Sequence, residues 1–496
     1  MKTTRKVLQI LLPLVLLLTL LASCGGKEDI PWQKTTAKTS ATTKSTPKET
    51  TTAQTTVNTT EATTAAPWPP SFNGEAFTIV SVGSRSNLNK LEFYFHNNEE
   101  TELEKELNEA YLGLESKLDT VLWFAEMSYE DAIAALSGNH FVGDVMYARQ
   151  MYWVPMATKG YIQPLNTEEI RSWGFDVDDP GTVDIYLTQA TKELDGENVW
   201  AASFSGKYFV QYWTDGMVFN KDIVAAAGYP AETLYQLVRD GQWTWDKLEE
   251  ICRAVKANTD KDGLGVASGV VEHIFYDMGI TPARGADGKW KAPALEDVLR
   301  GADYALKWTG GAGEISFRLS GLSSSSILNE FSNKKIAFAF AAADYLYADT
   351  IVTFPTLDFN IGYLPGPKLD AEGSLIFENN IANGICIPTE NPELRRTAYA
   401  LGELAKIVNS TEGTREFVSK ILPDEESVEM VMDYIIPNTA FASMSLSAPV
   451  SKVGSRFRSD IFGMHDDILG DLYDRDTAAQ TYVSNLQAEI DALFGY

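Results

Sequence analysis

Histidine is scarce in this 496-residue chain, with four in all, and the side chains that usually carry covalent chemistry do not gather into a motif. No G-x-S-x-G, H-E-x-x-H or P-loop occurs, so the sequence offers no nucleophile elbow, no zincin helix and no phosphate cradle. Its three cysteines include no C-x-x-C and no Cys/His cluster, which argues against structural zinc. Cys252 and Cys386 each sit inside an apolar pattern and read as buried small hydrophobes. Thr259-Asp260-Lys261-Asp262-Gly263 echoes the opening of a calcium loop, but the twelfth position is Val271 and not Glu, so it reads as a turn. His465-Asp466-Asp467 is metal-capable but lacks a second histidine cluster and reads as a surface turn. What remains is non-covalent: polar and aromatic side chains at the ends of short apolar strands. Ser84 and Arg85 follow the first such strand, and Tyr147, Arg149, Gln150 and Trp153 lie at the end of another. Residues of these types can hydrogen-bond to a ligand or stack on it.

The elements that must position them follow from periodicity. Phe77-Thr78-Ile79-Val80-Ser81-Val82 reads as a first strand ending at Gly83. Glu99 to Leu118 reads as a helix, with Leu103, Leu107, Tyr111, Leu114 and Leu118 at three- and four-residue spacing. Val121 to Phe124 is a second strand, Ser128 caps a helix running through Leu136, and Gly143 to Ala148 is a third strand. Strand–helix–strand alternation predicts an α/β fold with a largely parallel sheet, whose ligands bind off the carboxyl ends of the strands. Trp123, Trp243 and Trp245 read as core or helix-cap packing.

Charge is unevenly spread. The chain has 41 Lys+Arg against 68 Asp+Glu, a formal net of −27. Three basic groups lie in 1–23, and five basic and four acidic in 25–70, leaving 33 basic and 64 acidic residues in 71–496. An acidic body of this kind argues against nucleic acid and against electrostatic docking on an anionic membrane. The start of the chain reads differently. Met1–Lys6 is a short basic region, and Val7 to Leu20 is an apolar run shorter than the ~20 residues that a spanning helix needs. Leu21-Ala22-Ser23-Cys24 follows directly and resembles the bacterial lipobox, which implies cleavage before Cys24 and a lipid on its thiol. Acyl chains would anchor the protein, each buried CH₂ contributing ~0.8 kcal/mol. Residues 35–64 then hold 15 Thr in 30 positions, with Val57 the one large aliphatic, too little apolar surface to offset ordering entropy. Residues 24–70 read as a lipid-anchored, Thr-rich disordered stalk, of ~35–40 Å root-mean-square reach.

Four stretches of the body resemble the extracellular solute-binding proteins of ABC importers, the larger sugar-binding class typified by maltose-binding protein. The first is Gly143-Asp144-Val145-Met146-Tyr147 with Gly160-Tyr161-Ile162-Gln163-Pro164-Leu165. The second runs from Gly206-Lys207-Tyr208 through Phe219-Asn220-Lys221-Asp222 to Gly228-Tyr229-Pro230, with the helix start Trp243-Thr244-Trp245-Asp246 behind it. The third is Phe331-Ser332-Asn333-Lys334-Lys335-Ile336-Ala337-Phe338, where Lys334 replaces the family's glycine. The fourth is Asn383-Gly384-Ile385-Cys386-Ile387-Pro388 followed by Asn391-Pro392-Glu393. The resemblance implies a two-lobed, periplasmic-binding-protein-like (type II) α/β fold with hinge crossings near 211–217, 359–366 and 435–440. Gly362 and Pro365-Gly366-Pro367 suit a hinge. The implied organisation is a signal peptide in 1–23, the stalk in 24–70, a first lobe in 71–211 and 366–436, and a second lobe in 217–360 and 437–496.

Sugar recognition needs aromatic faces for the C–H face of a pyranose and planar polar groups for its hydroxyls. The resemblance carries ligand contact onto Tyr147, Arg149 and Gln150, and onto Tyr212, Trp213 and Asp215 at the first crossing. It carries it also onto Asp344 and Tyr345, and onto the cluster Glu378, Asn379, Asn380 and Asn383. It implies no catalytic residue, metal or cofactor, and as partners a small sugar and the transmembrane subunits of an ABC permease. The expected protein is a monomeric receptor on the outer face of the cell membrane. Two other classes compete. A surface glycoside hydrolase would need two carboxyls ~5–5.5 or ~6.5–9.5 Å apart across a cleft. A non-transport, carbohydrate-binding or adhesive surface protein would show no ligand-induced compaction.

Overall fold

The strands read from sequence fall into two separate five-stranded sheets in the computed structural model of the chain. The described residues are 68–83, 102–208, 216–266, 269–309, 316–318, 324–340, 357–375, 377–378, 383–422, 424–440, 464 and 474–496. They lie in one unit, Ala66–Tyr496.

The first sheet contains β1 (Ala76–Val82), β2 (Val121–Met127), β3 (Val145–Arg149) and β4 (Ile162–Gln163). A late strand, Asn383–Pro388, inserts between β3 and β4, giving the order β2-β1-β3-late strand-β4. β1 runs parallel to β2 and β3, whereas the late strand is antiparallel to both neighbours. The sheet is therefore mixed, because its fifth strand enters from a distant part of the chain. Both faces are covered, as the unbroken apolar runs require. Phe77, Ile79, Val145, Ile385 and Ile387 pack on one face against helices Glu102–Leu118 and Leu394–Val408. Val80, Val82, Met146 and Cys386 pack on the other, against helices Tyr129–Ser137 and Gln150–Thr158.

The second sheet contains β5 (Gly216–Asn220), β6 (Asp262–Val266), and then, past the short hairpin of β7 (Ala283–Arg284) and β8 (Trp290–Lys291), β9 (Ser316–Arg318), β10 (Ile336–Phe340) and β11 (Ile361–Pro365). Its order is β11-β5-β10-β6-β9. Sequence cues to helix starts hold here. Thr244 accepts a hydrogen bond from Lys247 N and caps the helix Trp245–Asn258. Asn220, almost fully buried, accepts from the amides of Asp222 and Ile223 and turns β5 into the next helix. Ser128 caps its helix in the same way. Cys252 and Cys386 are buried and free, and burial pushes both thiols well above their usual range.

Gly362, expected in a hinge, lies inside β11 opposite Phe219, where a side chain would collide with the Phe219 and Tyr235 rings. The change of sheet falls later, between Pro365 in the second sheet and Asn383 in the first. A two-stranded ribbon of β12 (Phe377–Glu378) and a strand at Thr439–Ala440 marks this junction. With the late first-sheet strand as β13, Thr439–Ala440 is β14. The span 366–436, read as first-lobe sequence, is divided. Helix Leu394–Val408 belongs to the first sheet, but Phe417, Val418, Val428, Val431 and Ile435 share a core with Val218, Ala339 and Tyr363 of the second. Apolar residues of those later helices must cover the outer face of β11, and this draws them across. The final helix, Arg475–Phe494, packs on Leu295–Thr309 and reaches Gln150–Thr158.

Trp243 and Trp245 are buried as expected, but Trp123 is 59% exposed. It lies on β2, the edge of its sheet, where Val121, two residues before it on the same face, is exposed too.

Candidate functional site

Parallel strands bring their carboxyl ends to one edge. In the first sheet that edge carries Gly83, Met127 and Arg149, with the amino end of antiparallel β13, Asn383, paired to Arg149. In the second it carries Phe340 and Pro365, both opposite the start of β5.

Alternation along β3 sorts the first-sheet candidates. Val145, Tyr147 and Arg149 share a face, and so do Ser81 on β1 and Asn383 on β13. Tyr147 is 1% exposed and packs inside the core of that face. Two residues on, Arg149 reaches the sheet's edge half-buried, and its Nε is buried without a hydrogen-bond partner. Ser81 is 1% exposed, and its Oγ likewise has no partner. Asn383 is buried; Ser203 Oγ donates to its carbonyl at 2.9 Å. Gln150 is buried at the first turn of the helix that follows β3, and Trp153 is buried in the other core.

Arg149 also occupies the capping position of helix Gln150–Thr158. It offers no side-chain acceptor to the first-turn amides, and that turn holds no acidic residue. The positive end of the helix dipole and a guanidinium thus meet at the same strand end. Beside them Tyr152 lies over Gly83, whose φ of +107° and lack of a side chain admit the ring. Tyr152 stacks on Tyr129, 5.4 Å between centroids and 26° between planes. The sequence reading missed Tyr152; its signal is the glycine that ends β1.

Asp144, the acid that opens the third strand, does not face the site. It is buried, its Oδ2 accepts from Thr78 N at 2.7 Å and its carbonyl accepts from Asn391 Nδ2 at 2.8 Å, tying β1, β3 and the Asn391 turn together. Burial raises its carboxyl above the usual range, against the Thr78 bond that lowers it.

The second-sheet edge is aromatic. Phe340 is half-buried and stacks on His273 at 4.2 Å and 12°, with Trp245 behind it at 5.9 Å and Trp308 edge-on to Trp245 at 5.1 Å. Trp245 Nε1 donates to Asp277. Phe340 and His273 were not selected from sequence. At the junction of the sheets lies a cavity of about 280 Å³, lined by Trp243, Lys368, Ser374, Leu375, Tyr434 and Asn438. Of the other sequence candidates, Ser84, Arg85, Tyr212, Trp213, Asp215, Asp344, Tyr345, Asn379 and Asn380 lie outside the described residues, as does His465-Asp466-Asp467. Only the backbone of Glu378 is described, paired with Ala440. In the calcium-like segment Asp260 and Asp262 pair with Lys261 and Lys256. Among the described residues no cluster of three or more metal-ligating side chains occurs, and no helix is long and apolar enough to cross a membrane.

Two α/β lobes, each presenting strand ends and joined by a short ribbon, are the architecture of ligand-closing binding proteins. The chain belongs to the bacterial extracellular solute-binding protein family, whose profile matches residues 126–401. Solved structures agree on the two-lobed fold. The sugar-binding protein MalE from Xanthomonas citri superposes with a TM-score of 0.54 at 13% identity, covering 84% of this chain and 98% of that one. The GacH receptor of Streptomyces glaucescens, solved unliganded and with acarbose, gives 0.51 at 15%, covering 85% and 99%. A cycloalternan-bound ABC substrate-binding protein from Listeria monocytogenes gives 0.51 at 14%, covering 85% and 100%. These relatives are binding proteins. No curated protein sequence matches the chain.

Proposed function

We propose that the chain is an extracellular receptor that captures a sugar or oligosaccharide between its lobes and presents it to the transmembrane subunits of an ABC importer. The observation that carries this reading is the pairing of unlike strand ends: buried polar groups at Ser81, Arg149 and Asn383 on one lobe, a half-buried ring at Phe340 on the other. Polar groups bracket hydroxyls and a ring face accepts the C–H side of a pyranose. Saccharides held by the similarly folded acarbose and cycloalternan binders support the same class. Affinity comes from stacking and hydrogen bonds, and lobe closure is the state that the permease reads. Ligand contact at Ser84, Arg85, Tyr212, Trp213, Asp215, Asp344, Tyr345, Asn379 and Asn380 is part of the proposal. So is a lipid on Cys24 that holds the protein to the outer face of the membrane. Isothermal titration against a glycan panel tests the ligand class: binding of at least one saccharide with compaction in small-angle scattering is expected. Silence across sugars with binding of a peptide or polyamine overturns it. The anchor is tested by detergent partitioning, in which a Cys24→Ala protein leaves the detergent phase.

A further inference from the structure

The body holds about two acidic residues for every basic one, 64 against 33 in residues 71–496, so an arginine can readily find a carboxylate. Arg239 takes Glu232 and Glu429, and Arg171 takes Asp176 and Asp178. Arg149 takes none among the described residues, although its Nε is buried at the carboxyl end of β3. A buried donor left unmade is destabilising, so it points to a group that the described residues do not supply.

Three features say what that group is. A guanidinium presents Nε and a neighbouring Nη as a planar pair spaced for the two oxygens of a carboxylate. Arg149 caps the helix Gln150–Thr158, whose first-turn amides receive no side-chain cap and no acidic neighbour, so the dipole adds positive potential at the same place. Ser81, on the same face one strand away, is 1% exposed and holds an unpartnered Oγ that can donate as well. The guanidinium and the helix dipole favour negative charge over a neutral hydroxyl, and the Ser81 hydroxyl can donate to either.

We propose that the ligand is an acidic saccharide, one bearing a uronate carboxylate, and that Arg149 is the residue that takes the carboxylate, with Ser81 on the same face of the neighbouring strand. This rests on the receptor reading above and narrows it. Lobe closure would bring the sugar rings against Phe340 while the carboxylate seats on Arg149.

The test is a set of matched oligosaccharides measured by isothermal titration on the whole folded protein: oligogalacturonate, its methyl ester, a neutral hexose oligomer of equal length and a sulfated counterpart. The free acid is expected to bind at least tenfold tighter than its ester. Arg149→Gln is expected to remove that tenfold preference, and Arg149→Lys to restore part of it. The acid–ester comparison needs no variant, so a poorly folded mutant leaves the outcome readable. Equal or tighter binding of the ester or neutral oligomer overturns the proposal and leaves the sugar receptor standing. Preference for the sulfated sugar overturns the carboxylate assignment. Silence with every saccharide, together with peptide or polyamine binding, overturns both.

Discussion

The two sheets end in opposite chemistry. At the first, buried polar groups stand with donors unfilled: Ser81 Oγ and Arg149 Nε. At the second, the rings of Phe340, His273, Trp245 and Trp308 pack on one another, and Trp245 Nε1–H donates to Asp277. On the second side a stack of rings leaves Phe340 half-buried at its end, whereas on the first side the strand ends carry buried donors without partners. The ring stack and the strand-end donors are different side chains in different halves, so stability and affinity should respond to different mutations.

The largest expected effect is on shape. Trp245→Ala removes a fully buried indole and should cost about 3–5 kcal/mol, read as a lower urea midpoint. A loss under about 1 kcal/mol would mean that the aromatic stack is not what holds this half. Arg149→Leu should separate the halves most cleanly. Removing an unsatisfied buried donor should raise stability by about 1 kcal/mol in thermal unfolding while saccharide binding drops; loss of both together would break the comparison. Tyr152→Ala should cost about 1 kcal/mol through its stack on Tyr129, again by urea midpoint, and weaken ligand binding at the same edge.

Acid should distinguish the halves by sign. On the second-sheet side the Arg239 guanidinium, donating to Glu429 at 3.0 and 2.6 Å, holds that carboxyl below the ordinary Glu range. Its stabilisation is present above the unfolded pKa and is lost as pH falls through the lowered folded value. On the first-sheet side burial holds Asp144 above the ordinary Asp range. Its contribution is present below the unfolded pKa and is lost as pH rises through the raised folded value. Urea midpoints between about pH 3 and 7 should show Glu429→Gln flattening the acid limb and Asp144→Asn flattening the opposite slope. Smallest of all, Lys334→Gly should stabilise by about 0.5–1 kcal/mol. Lys334 sits at φ +57°, where the family motif carries glycine, and its ion pair with Asp358 at 2.8 Å is exposed.

Local chemistry was legible in the sequence. Ser128 and the Thr244 helix start declare themselves through side chains that satisfy amides three residues ahead. The expected helix at 99–118 is found at Glu102–Leu118, and the strand at 77–82 at Ala76–Val82. Non-local facts were not legible. Trp123 reads as core because its strand is apolar, yet β2 is an edge, which only strand order reveals. Tyr147 and Arg149 lie on one face of one strand, and two residues of travel separate a core ring from a strand-end cation. Phe340 gains its place from His273, far along the chain, and Tyr152 from the bare backbone of Gly83. The fold class follows from alternation of elements, but the site depends on which ends meet.

Trp68, at the start of the described body, sets one further condition. Its ring meets Tyr399 edge-on at 5.0 Å and lies under the Arg395 guanidinium at 5.0 Å, while Arg396 covers Phe72 at 4.4 Å. All three partners belong to the Leu394–Val408 helix of the first lobe. The chain therefore enters the body fastened to the first lobe, so that a change at Trp68 should be felt in the Leu394–Val408 helix before it is felt in the second sheet.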